Sequence, residues 1–110
     1  MKLPNYNSAL VPLDKLVGYS LDLDHPSGKH KARVFASVLG LTRDDAAWLR
    51  DRILDAVLTA EAIEKEPTEF GRRYVVDFSL ATEVGAAVVR TAWIVRHDEA
   101  FPQLTSCYIP

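Results

Sequence analysis

A single cysteine, only five glycines and the absence of any long apolar run set the first limits on this 110-residue chain. Cys107 alone cannot form an internal disulfide, and no C-x-x-C or paired Cys/His spacing prescribes zinc. None of the glycines stands in a G-x-G-x-x-G, G-K-[ST] or G-x-S-x-G pattern, so phosphate-cradling nucleotide loops and the nucleophile elbow are excluded. No stretch reaches the roughly 20 apolar residues that a membrane helix needs. The first 25 residues are interrupted by Pro4, Pro12, Asp14, Lys15 and Asp22, so no secretory leader is expected. The cytoplasm is the default location, without a membrane partner. A basic excess is missing as well: the formal net charge is −2 and the pI about 5.9, which argues against a general nucleic-acid coat.

The charge is unevenly distributed, however. Eight of the fifteen acidic residues fall in the span 44–69, whereas the span 72–96 carries Arg72, Arg73, Arg90 and Arg96 against Asp77 and Glu83. A basic face can therefore coexist with a mildly acidic total. With 48% hydrophobic and 25% charged residues, the composition is that of one globular domain, spanning 1–110.

Periodicity divides the chain into helices first and strands last. Pro12 opens a short helix over 13–21. A second helix runs over 27–39, with Ser27 as N-cap and Gly40 as its stop. Thr42 with Asp45 forms a capping box for a third helix that runs to about residue 62. Strict alternation then predicts strands over 73–80, 87–96 and 104–109, with a weak fourth near 62–66. The expected fold is α+β: two to three N-terminal helices packed on one face of a C-terminal antiparallel sheet of three to four strands. Arg73, Asp77 and Arg90 fall on the opposite face, a polar platform bearing selected cations.

Chemistry concentrates in 25–35, which holds His25, His30, Lys29, Lys31 and Arg33 around a helix start. Free N–H groups and the positive end of a helix would welcome a phosphate there. On a helical wheel Lys29 and Arg33 point outward while Lys31 projects between Phe35 and Val38, toward the apolar side. An ammonium so directed needs a partner or a cleft. His30 is the group suited to proton transfer near neutrality; His25, before a proline, reads as a turn residue, and His97 as a surface one. Three histidines spread over loop, helix and strand end make no metal site, and no cofactor is expected. Arg73 and Arg90, on adjacent strands of one face, would grip a phosphate bidentately or else join Asp77 in a cross-strand network. Thr105 and Tyr108 point to opposite faces of a regular strand and share a site only if a bulge intervenes. Cys107 reads as a packed thiol.

Leu3-Pro4-Asn5, the run Gly-Lys-His-Lys-Ala-Arg-Val-Phe over 28–35, Arg73-Tyr74-Val75-Val76-Asp77-Phe78, Arg90-Thr91-Ala92-Trp93-Ile94-Val95 and Thr105-Ser106-Cys107-Tyr108 together resemble a family of small bacterial domains of unknown function. The resemblance covers nearly the whole chain and implies a toxin-like role with a small cognate inhibitor or immunity protein. In element order and residue types the chain is also similar, more loosely, to the barnase, EndoU, colicin and RelE-like ribonucleases, although it lacks the EndoU-type pair of catalytic histidines. That similarity implies RNA cleavage by 2′-hydroxyl attack on phosphate, without metal. His30, Lys31, Arg90, Thr105 and Tyr108 are then the catalytic candidates, with Lys29, Arg33 and Arg73 binding the RNA backbone. The rival expectation is a non-catalytic module whose basic helix start docks an acidic partner, with Trp48 as a second anchor.

Overall fold

A computed structural model describes residues 1–110. After a short 3₁₀ turn at Tyr6–Ser8, three helices precede four strands. Helix α1 begins at Leu13–Lys15 and widens into a π turn over Leu16–Ser20; α2 begins at Lys29–Val34 and widens likewise over Phe35–Leu39. Helix α3, Ala46–Ala56, is entered through a 3₁₀ turn at Arg43–Asp45, where the Asp45 carboxylate accepts the Thr42 backbone N–H at 2.9 Å in the expected capping box. Strands β1 (Ala62–Thr68), β2 (Gly71–Ala81), β3 (Ala86–Arg96) and β4 (Gln103–Tyr108) form one antiparallel meander in the order β1-β2-β3-β4.

The helices bury Leu16, Phe35, Leu39, Leu49 and Ile53 against Tyr74, Val76, Val89, Trp93 and Leu104 of the sheet. Removing each such side chain from water stabilises the fold by about 1.5–3 kcal/mol. One polar group is embedded in this layer: the Thr91 hydroxyl donates to the Val76 carbonyl at 2.7 Å and accepts the Trp93 indole N–H at 2.8 Å. Cys107 is fully buried beside it in the core cluster, as a packed thiol should be.

Three expectations differ from what is found. Helix α3 ends at Ala56, six residues earlier than the sequence predicts, because Ala62 pairs with Val76 and opens β1; the fourth strand is real and spans Ala62–Thr68. The N-cap of α2 is Gly28 and not Ser27. The first amides of that helix are not free for an anion either. His25 Nδ1 accepts the N–H groups of Ser27 and Gly28 at 3.0 and 2.9 Å, and the His25 carbonyl accepts that of Lys29 at 3.0 Å. No helix is long and apolar enough to cross a membrane.

Candidate functional site

The uncovered face of the sheet is indexed by its register. Asp77, Arg90 and Tyr108 stand directly opposite one another on β2, β3 and β4, so their side chains leave the sheet on the same side. Arg90 donates from Nε and an Nη to the two oxygens of Asp77, each at 2.9 Å, in a fork-to-fork pair. Its pKa is raised, by the hydrogen bonds to Asp77 first and by the Tyr108 hydroxyl next. The cross-strand network is thus the observed state of Arg90.

Helix α2 approaches the same tyrosine from the edge of the sheet. Lys31 is half-buried, and its Nζ lies 4.7 Å from the centre of the Tyr108 ring and 5.3 Å from that of Tyr19 on α1. Both distances are in the range of cation–π attraction. The inward-turned lysine therefore does find partners, but they are π faces: no carboxylate lies within ion-pairing distance of it. Tyr19 is held in turn by His25, whose ring meets it edge-on with centres 4.8 Å apart and planes at 68°. Gly28 allows this packing, since a Cβ there would stand 2.6 Å from the Tyr19 carbonyl oxygen. His25, Tyr19, Lys31, Tyr108, Arg90 and Asp77 so form a continuous chain of contacts from loop to mid-sheet.

This geometry has a consequence for the histidines. Because His25 Nδ1 accepts two amide N–H groups, the neutral ring carries its proton on Nε2 and can only donate there. His30 is exposed and has no hydrogen-bond partner, so both of its nitrogens are open to solvent.

Residues 2–110 match the domain of unknown function DUF6883. The chain belongs to the DUF6883 family. No curated protein matches it. Within this DUF6883 domain, Thr105 is the extra residue of a β-bulge: Ala92 pairs with Ser106 but Trp93 with Leu104. The bulge brings Thr105 and Ser106 together along a cleft of about 280 Å³ with Asp14, Lys15, Gly18 and Tyr19. The Thr105 hydroxyl donates to the Ala92 carbonyl at 3.1 Å. Thr105 and Tyr108 thus border the same region of the DUF6883 domain through Tyr19, which touches both the cleft and Lys31.

The other candidates are dispersed. Lys29 is half-buried and Arg33 exposed, both without ion pairs, flanking Lys31 on α2. Arg73 lies four residues along β2 from Asp77, about 13 Å away, and its guanidinium reaches back to the Glu66 carbonyl at 3.4 Å. Lys31, Arg90 and Tyr108 converge; Arg73 does not join them. Tyr19, Asp14 and Lys15 had no signal in the sequence, because their approach to β4 depends on how α1 packs against it.

Proposed function

We propose that this domain is an endoribonuclease that works without metal, cleaving RNA by attack of a 2′-hydroxyl on its adjacent phosphate. The observation that supports it is the convergence of two cations from different elements on Tyr108, Lys31 over its ring and Arg90 directly opposite it in the strand register, with Lys31 lacking any anion. A phosphodiester supplies that anion. In this reaction the 2′-oxygen forms a bond to phosphorus as its proton passes to a base, and the P–O5′ bond breaks as the leaving oxygen takes up a proton. The products are a 2′,3′-cyclic phosphate and a 5′-hydroxyl.

His30, open at both nitrogens, is assigned as acid or base. Lys31 and Arg90 offset the charge that grows on the non-bridging oxygens, Tyr108 and Thr105 position the substrate, and Lys29 and Arg33 hold the flanking backbone. Arg73 belongs to a more distant stretch of RNA. A toxin of this kind requires an inhibitor, and the unpaired cations Lys29, Lys31 and Arg33 favour a small acidic one. Trp48, 40% exposed on α3 and stacked under Arg52 at 5.8 Å, keeps the non-catalytic docking module as the second reading.

The two readings separate on total tRNA incubated with the protein in EDTA. Discrete fragments ending in cyclic phosphate are expected, and replacing His30 and Lys31 together by alanine abolishes them. Cleavage that survives the double substitution overturns the assignment, and intact tRNA with the parent protein leaves the docking module.

A further inference from the structure

The face of the sheet turned away from the helices carries a charge imbalance that the Lys31 site does not use. Register and alternation place Lys65, Arg73, Arg90 and Arg96 on it, and Asp77 is the one carboxylate at a paired position there. Arg90 takes both oxygens of Asp77. Arg96 meets Glu99 only at 4.0 Å, and Lys65 and Arg73 have no ion pair at all. These last two stand directly opposite each other on β1 and β2, an arrangement that lowers stability because like charges at facing positions repel. The fold thus holds two exposed cations together with only a backbone acceptor, the Glu66 carbonyl, 3.4 Å from the Arg73 guanidinium. Beside them the face is aliphatic. Ile63 pairs with Val75 and Val75 with Ala92 in the neighbouring row, and Ile63 and Val88 are 57% and 45% exposed.

We propose that this face seats an acidic amphipathic helix of a partner protein, its carboxylates over Lys65, Arg73 and Arg96 and its aliphatic stripe over Val75, Ala92 and Val88. From Ile94, which pairs with Arg73, to Val88 is six residues along β3, about 20 Å, which a helix of about 13 residues spans. Such a helix covers the open face as the chain's own helices cover the other, and buries the aliphatic rows between two layers. Strand addition suits this end of the sheet less well, since edge strand β1 carries Lys65 and Pro67 and breaks register between Lys65 and Thr68. RNA suits it less well too. Its bases need aromatic platforms, and Tyr108, already under Lys31 at the β4 edge, is the one aromatic side chain at a paired position of the face. The inference stands apart from the ribonuclease reading; where both hold, the helix and the distant stretch of RNA compete for Arg73 while the Lys31 site stays open.

The test is an NMR titration of the full chain with a stapled helical peptide of about 14 residues that carries a leucine stripe and glutamates at one end. A second peptide with glutamine in place of each glutamate, and a short single-stranded RNA, are run beside it. The glutamate peptide is expected to shift the amides of Lys65, Arg73, Val75 and Ala92 and to bind about tenfold more tightly than the glutamine one, the sum of a few exposed ion pairs. Lys65→Gln combined with Arg73→Gln removes that preference. Lys65→Gln alone, which relieves the facing cations, raises the melting temperature of the free chain while it weakens the peptide, as expected of a charge retained for binding against stability. Equal binding of the two peptides, or shifts confined to α2, overturns the proposal, and so does a lower melting temperature for Lys65→Gln. RNA that shifts Lys65 and Arg73 more than the glutamate peptide does makes the face a nucleic-acid surface. A dimer of the free chain that dissociates in the double variant, measured by sedimentation, makes a second copy the occupant. Either result overturns the partner helix.

Discussion

Two buried residues show how single side chains govern this fold. Thr91 and Val are nearly isosteric, but in Thr91→Val the Trp93 indole N–H loses its acceptor in a site closed to water. Leaving a buried donor unmet costs about 1–3 kcal/mol, so urea denaturation should show a loss of that size with an unchanged slope; a neutral result would mean that water reaches the indole. Cys107 carries a pH signature. Burial pushes its thiol up from the usual value near 9 to about 12. The native state therefore keeps a proton that the unfolded chain releases above pH 9, and stability is full below pH 9 and declines as pH rises toward 12. Denaturation midpoints measured across pH 8 to 11 should fall more steeply for the parent than for Cys107→Ala, and the native thiol should resist disulfide reagents at pH 8. Much of this was legible in the sequence: alternation set Trp93 on one face of its strand with Val89 and Val95, Cys107 read as a packed thiol, and the misfit of Lys31 with its helical face marked it as a group in need of partners. Which partners it has was not, because Tyr19 and Tyr108 are 89 positions apart in the chain.

At the scale of elements, helix ends decide where the site stands. The sequence announced the stop of α2 at Gly40, and the residue there is left-handed, with φ of 67°. What it could not announce is that Val84 of the β2–β3 turn fills the place of a Cβ, 2.5 Å away, or that the Thr82 hydroxyl of the same turn donates to the Leu39 carbonyl at 2.8 Å. Gly40→Ala combines a strained backbone with a displaced turn and should destabilise by about 2 kcal/mol. Gly18→Ala, in helix over open space, should instead stabilise by about 0.5–1 kcal/mol; thermal melts of the two variants moving the same way would refute this account. Element starts and ends were also where the sequence misled. Alanine and glutamate over 60–64 favour helix, but pairing with β2 wins and makes them strand. Ser27 has the chemistry of a cap, yet the imidazole two residues earlier takes the amides first, which no capping pattern based on hydroxyls and carboxylates foresees.

For the molecule as a whole, the ribonuclease proposal requires that a chain of net charge −2 engage a polyanion. The exposed edge strand β1, with Glu64, Lys65, Glu66 and Pro67, is of the kind that resists pairing with another sheet, and its acidic residues repel RNA from that side. Lys15 and Lys31 lie at the other border of the sheet, near β4, Lys29 and Arg33 share the α2 helix with Lys31, and none of the four is tied to a carboxylate. Segregation of this sort lets a locally positive border act although the total is negative, over the roughly 8 Å that physiological salt permits. On the proposed reading, RNA binding depends on the few phosphates this border reaches, and each phosphate neutralised on a single strand contributes about −0.7 to the slope of log K against log salt. Lys29→Ala and Arg33→Ala should each reduce the steepness of that slope by about 0.7, measured by fluorescence anisotropy with a short single-stranded RNA between 50 and 200 mM salt. Lys65→Ala, on the acidic edge, should leave the slope where it is. If Lys65 lowers it as much as Lys29 does, RNA binds on the far side of the sheet, and the contact chain from His25 to Asp77 is a structural clamp between the helices and β4, with no part in holding a substrate.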